Sequence, residues 1–138
     1  MKIFFLLVMS FAFVKFGISQ TSPVIVNESD SSKVYMTVSA EAQFPGGDYG
    51  WSEFLRKNLN PDVPVEKGAK KGKYTVIVRF VIHKDGSISD TKCENDPGYG
   101  MCQEFLRLFK IMPKWIPANV NGESVNAWRR QPVTFLVE

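Results

Sequence analysis

The chain has 138 residues, a formal net charge of +3 and 44% hydrophobic residues. This length suits a single domain with a modest core. Without residues 1–20, which carry Lys2 and Lys15, the formal charge falls to +1. This near-neutral charge argues against a nucleic-acid-binding protein, which needs a clustered basic surface. Lys70, Lys71 and Lys73 flank glycines ahead of a strand-like run, and we expect them to form a solvated turn.

The first 20 residues have the pattern of a secretory signal peptide. Lys2 precedes an apolar run over residues 3–14 that only Ser10 interrupts, and a short stretch with small residues follows. The run is shorter than the roughly 20 residues that a helix needs to cross a bilayer. We therefore predict cleavage near Gln20, a periplasmic or secreted location, and no membrane span afterwards.

Residues 21–43 are polar and rich in serine at first, and they predict a flexible leader. Within it, residues 34–38 are rich in strand-forming side chains and predict a short strand. We expect the folded domain to occupy residues 44–138.

Two helices are predicted from apolar spacing. The first follows the turn Phe44-Pro45-Gly46-Gly47, with Asp48 as its expected cap, and runs from about Tyr49 to Leu59. The second runs from Met101 to Ile111 and is stopped by a proline.

Three segments predict the main strands of a sheet. Residues 74–83 alternate between an apolar and a mixed face, as a central antiparallel strand does. The Asp85-Gly86 turn leads into a partner strand over residues 88–92. Residues 128–138 form the last strand, and Pro132 within it predicts an edge position. The prediction is an α+β fold: a small antiparallel sheet of three to four strands with two helices on one face.

Few residues are candidates for a disulfide, for catalysis or for ligand binding. Cys93 and Cys102 are the two cysteines of a chain with a predicted signal peptide, so we expect a disulfide, with two free buried thiols as the alternative. His83 is the single histidine, and we expect no catalytic residue, metal or cofactor. For Trp115 we predict core packing, with a ligand-facing position as the alternative.

Several short motifs follow one another in a distinctive order and spacing: Phe44-Pro45-Gly46-Gly47, Gly72-Lys73, the turn over residues 84–90, residues 112–118, Asn121-Gly122 and residues 132–135. On these motifs, the chain from residue 44 to 138 resembles TonB C-terminal domains of the kind common in Bacteroidetes.

The resemblance implies a non-catalytic module whose last strand pairs with an extended peptide of an outer-membrane receptor by β-augmentation. The implied edge consists of Ala127, Trp128, Arg129, Arg130, Gln131, Val133, Phe135 and Val137. The membrane helix and proline-rich spacer of a force-transmitting TonB are not recognisable here. The alternative is a structural or signalling interaction domain of the envelope that has lost peptide binding.

Two features of this edge stay open at the level of sequence. Arg129 and Arg130 either protect the strand against aggregation or meet an acidic peptide. Residues 34–38 either pair with the last strand in their own chain or exchange with a second copy to form a homodimer.

Overall fold

A computed structural model describes residues 32–138, and the predicted signal peptide and residues 21–31 of the leader lie outside that range. The described elements in chain order are β1 (Val34–Tyr35), α1 (Gly47–Asn58), α2 (Val63–Glu66), β2 (Gly72–Ile82), β3 (Ile88–Asn95), α3 (Met101–Phe109), β4 (Asn119–Val120), β5 (Glu123–Ser124) and β6 (Asn126–Val137).

The main sheet has four strands in the order β1-β6-β2-β3, and β4 and β5 form a separate small hairpin. Strands β2 and β6 are antiparallel along their whole length, from Gly72 opposite Val137 to Ile82 opposite Ala127. Strand β1 runs parallel to β6. The α+β prediction is therefore confirmed, but the sheet is mixed rather than purely antiparallel.

The core lies between one face of the sheet and the helices. The predicted apolar face of β2 is buried: Val76, Val78, Phe80 and Ile82 are each 0% exposed. Phe105 and Leu108 of α3 pack on it with Trp115, which confirms the core position predicted for that tryptophan. Burying side chains of this size stabilises a fold by roughly 1.5–3 kcal/mol each.

Helix α1 contributes aromatic packing although none of its residues is fully buried. Trp51 and Phe54 contact Phe44, with ring centroids 5.4 and 5.3 Å apart. The prediction that Asp48 caps this helix is wrong. The cap residue is Gly46, at φ 81°, and Asp48 lies in the first turn, where its charge favours the helix N-terminus.

The short helix α2 was not predicted, because the prolines after α1 indicate only that a helix ends. Pro64 instead occupies the start of α2, where its missing N–H costs nothing.

The disulfide between Cys93 and Cys102 is confirmed and joins β3 to the start of α3. For cysteines separated by 9 residues, closing the loop stabilises the folded state by roughly 2–3 kcal/mol. No helix within residues 32–138 is long and apolar enough to cross a membrane.

Candidate functional site

Strand β6 is paired along one side and mostly unpaired along the other. Strand β2 covers its first side completely. On the second side, β1 covers only Asn126 and Ala127, through Val34 and Tyr35. The pairing predicted for residues 34–38 thus occurs within the chain, over two residues. The predicted edge position of β6 needs the same correction: β6 lies inside the sheet order, yet past Ala127 no strand among the described residues pairs with that side.

The hydrogen bonds of β2 show which backbone groups of β6 point outward. The Ile77 N–H donates to Asn95 Oδ1 at 2.8 Å, and Asn95 Nδ2 donates to the Thr75 carbonyl at 2.8 Å. Thr75 and Ile77 therefore direct their backbone groups towards β3. In an antiparallel pair, two opposite residues direct their backbone groups either both towards each other or both away from each other. The partners of Thr75 and Ile77, which are Thr134 and Pro132, therefore direct their backbone groups away from β2.

We call the side of β6 away from β2, over residues 128–136, the open edge. By the same alternation, the residues that direct backbone groups outward beyond Trp128 are Arg130, Pro132, Thr134 and Leu136. Three of them offer an N–H and a carbonyl, and Pro132 offers only a carbonyl. This stretch is roughly 20 Å long at the usual rise of a strand.

The residues predicted for the binding edge divide into two sets. Side chains on the helix face belong to Ala127, Arg129, Gln131, Val133, Phe135 and Val137, and their backbone groups point to β2. Trp128 and Arg130 lie on the other face and direct backbone groups to the open edge. Thr134 and Leu136 do the same but were absent from the predicted set; Leu136 is 58% exposed, and its alternation with Phe135 was the available signal.

A cavity of about 300 Å³ lies beside the first half of the open edge, on the helix face of the sheet. Its walls include Phe44, Trp51 and Trp115, and Arg129 and Gln131 of β6 contribute polar groups. Side chains of a strand alternate between the two faces of a sheet. A strand paired with the open edge would therefore direct every second side chain towards the helix face, and those next to Arg129 and Gln131 towards this cavity.

Arg129 joins β6 to the segment before α1. Its Nη1 donates to the Ala42 carbonyl at 3.0 Å and lies 3.9 Å from Glu41 Oε2, and its guanidinium lies 5.5 Å from the Trp115 ring centroid. Its Nε is buried without a hydrogen-bond partner among the described residues. Arg129 thus already holds contacts of its own chain beside the cavity.

Arg130 and Trp128 make their contacts on the other face of the sheet. Arg130 Nε donates to Glu94 Oε2 of β3 at 2.6 Å, and the Arg79 guanidinium lies 4.6 Å from the Trp128 ring centroid. An exposed ion pair and an exposed cation–π contact each contribute little to stability. They do hold both side chains on that face rather than across the open edge.

The opposite margin of the sheet, β3, is less regular. Its pairing with β2 shifts register twice, and Asp90 has a positive φ of 53°. Such bulges twist a strand and discourage further pairing. The open edge of β6 is thus the more regular of the two margins.

The arrangement around His83 does not form a catalytic triad. His83 Nε2 lies 2.6 Å from Ser89 Oγ, but Asp90 accepts a hydrogen bond from Ser89 rather than from the imidazole. A triad needs the carboxylate on the second ring nitrogen. Cys93 and Cys102 are bonded to each other, so neither is a free thiol nucleophile.

A family model described as the Gram-negative bacterial TonB protein C-terminal matches residues 66–137, from the end of α2 to the end of β6. The chain belongs to this TonB C-terminal family. TonB C-terminal domains are non-enzymatic interaction domains of the cell envelope, and they interact with outer-membrane receptor proteins. Searches of curated proteins and of solved structures found no significant match.

Proposed function

We propose that this TonB C-terminal domain works in the periplasm, after removal of residues 1–20, and binds an extended segment of a TonB-dependent outer-membrane receptor along its open edge. The observation that carries the proposal is the run of outward backbone groups from Arg130 to Leu136, which no described strand covers. Unpaired N–H and carbonyl groups on a regular strand are what β-augmentation requires.

The two sides of the bound segment would meet different surroundings. Its backbone would pair with Arg130, Thr134 and Leu136, and each hydrogen bond would contribute about 0.5–1.5 kcal/mol net. Alternate side chains would enter the cavity lined by Phe44, Trp51 and Trp115. Backbone pairing thus supplies affinity for any extended chain, and the cavity supplies selectivity among side chains.

The test is a titration of the ¹⁵N-labelled protein with synthetic peptides that copy the N-terminal segments of outer-membrane receptors from the same organism. We expect amide shifts at residues 130–136 and none at β3. Thr134→Pro removes one outward N–H and should weaken binding about fivefold or more, because a proline ring also holds the peptide away. Thr134→Ala keeps the N–H and should bind within about twofold of the wild type.

Equal binding by the two Thr134 variants would contradict pairing at the open edge. If none of the peptides shifts any amide of β6, the alternative gains support, namely a structural or signalling envelope domain without peptide binding. Shifts confined to β3 would move the recognition surface to the other margin of the sheet.

A further inference from the structure

The open edge carries one interruption, at Pro132. Pro132 directs its backbone outward, because its partner Ile77 directs its own N–H to Asn95 on the far side of β2. Arg130 and Thr134, on either side of it, have outward N–H groups. Pro132 is exposed, so the core does not require its ring.

We infer that Pro132 prevents two copies of this protein from pairing through their open edges, and that this leaves the edge available to a partner of different sequence. The inference uses the same edge as the proposed function but concerns a second copy of the chain rather than a receptor peptide. A long regular edge is a template for self-association that proteins must block.

In a symmetric dimer the missing N–H of Pro132 removes two hydrogen bonds, one from each copy. Two identical strands that pair in antiparallel fashion are related by a two-fold axis, so each contact occurs twice. The register that uses the whole stretch from Arg130 to Leu136 is centred on Val133 and places Pro132 opposite Thr134 of the second copy. Both copies then lack the hydrogen bond that the residue at position 132 would donate.

A receptor peptide meets the same interruption only once. It loses one hydrogen bond, to an exposed position where water can solvate its free carbonyl. It is also free to place a bulge at that point, whereas a symmetric dimer would need the bulge in both copies. Pro132 therefore weakens the self-paired dimer more than it weakens the complex with a peptide.

Other side chains of the strand do not provide this block. Arg130 is paired with Glu94 across the outer face of the sheet, and Arg129 contacts Ala42 and Glu41 on the helix face. Neither cation points along the edge towards an approaching strand. Leu136, 58% exposed, and the neighbouring Thr134 would favour pairing.

The experiment compares the self-association of the purified wild-type protein and Pro132→Ala by sedimentation velocity over a wide concentration range. Alanine restores two hydrogen bonds per dimer, so we expect a dimer about thirtyfold tighter, which corresponds to about 2 kcal/mol at 1.4 kcal/mol per factor of ten. Concentration-dependent amide shifts should centre on residues 130–136. Pro61→Ala, which adds an N–H at an exposed turn away from the sheet, should behave as the wild type.

The double variant Pro132→Ala with Thr134→Pro identifies the surface. In the register centred on Val133 the two positions face each other and exchange two hydrogen bonds, so a proline at either one removes one bond of each such pair and the same number of bonds per dimer. The double variant should therefore return to the weak association of the wild type. Its folding can be checked independently from the amide shifts of the core.

Three results would overturn the inference. The first is that Pro132→Ala associates no more strongly than the wild type. The second is that the double variant associates as strongly as Pro132→Ala. The third is that the wild type itself already dimerises, with amide shifts along β6. No receptor peptide takes part in this experiment. A protein that binds no peptide but dimerises on Pro132→Ala would contradict the proposed function and still support the inference that Pro132 prevents self-pairing.

Discussion

Gly86 and Gly122 have the same backbone conformation but different surroundings. Both have a φ of 86°. A Cβ on Gly86 would lie 2.3 Å from the Trp115 carbonyl oxygen, whereas a Cβ on Gly122 would meet nothing within 4 Å. Gly86 also accepts a hydrogen bond from Trp115 N–H at 2.9 Å. The β2–β3 turn thus holds in place the segment that carries a wall of the cavity.

We expect Gly86→Ala to lower the free energy of unfolding by about 3 kcal/mol or more, because backbone strain and a collision with a carbonyl oxygen combine. Gly122→Ala is the matched control and should cost about 1 kcal/mol, from the positive φ alone. Urea denaturation of both variants measures the difference. Equal losses would mean that the approach of Trp115 to the turn contributes nothing.

At the scale of elements, Glu104 links α3 to the end of α1. Its side chain is 8% exposed and bonded to Arg107, with an N···O distance of 2.7 Å. It also accepts a hydrogen bond from Asn60 N–H at 2.8 Å, and Arg107 Nη2 donates to the Asn58 carbonyl. The hydrogen bond from Arg107 holds the pKa of Glu104 below the usual value for glutamate, and burial opposes this only in part.

A lowered pKa in the folded state means that the Glu104 carboxylate stabilises the fold above its unfolded pKa, near 4.5, and that this stability is lost as the pH falls through the folded pKa. Glu104→Gln should therefore lower the free energy of unfolding at pH 7 by about 1–2 kcal/mol and flatten its decline below about pH 4.5. The measurement is urea denaturation between pH 3 and 7, with intervals of about half a pH unit.

The control is Glu53→Gln on α1. Glu53 has the same spacing to Arg56 and also has a lowered pKa, but the Arg56 side chain is 67% exposed. We expect it to leave the free energy of unfolding nearly unchanged. A loss equal to that of Glu104→Gln would show that the link between α1 and α3 is not what makes Glu104 stabilising.

The elements that could be predicted are those with a strong local signal. The alternation of residues 74–83 predicts β2 and its buried face, and the Asp85-Gly86 turn predicts its hairpin with β3. The composition of residues 34–38 predicts strand β1, but its parallel direction depends on the path of the chain between Tyr35 and Asn126. Such a path is set by tertiary packing and has no local signal.

The sequence predicts which strand forms the candidate site, but it does not predict which backbone groups of that strand point outward. Alternation places Val133 and Phe135 on one face and Thr134 and Leu136 on the other. Which residues direct their N–H groups outward depends on the pairing with β2. The hydrogen bonds between the Asn95 side chain and the backbone of Thr75 and Ile77 reveal this pairing. The cavity beside the edge requires Phe44, Trp51 and Trp115 to meet, and these are far apart in the sequence.

At the scale of the whole molecule, the segment before α1 limits how much of β6 is available. Strand β1 pairs with Asn126 and Ala127 and then leaves the sheet. The chain next bonds to Asn119 through Ser39 and to Ile116 through Gln43, and Ala42 is buried at 2% exposure. Val38 packs against the core, so the packed part of this segment begins there, and β1 before it is joined to the fold mainly through β6.

Removing β1 should lengthen the open edge without unfolding the domain. A protein that begins at Val38 loses β1 but keeps the contacts of Ser39, Ala42 and Gln43. We expect it to bind a receptor peptide about fivefold more tightly than a protein that begins at Val34, because about one more backbone hydrogen bond becomes available. The amide of Trp128 should shift in the shorter protein and not in the longer one. Equal affinity, with the β6 shifts unchanged, would show that β1 neither competes with the peptide nor sets the end of its binding site.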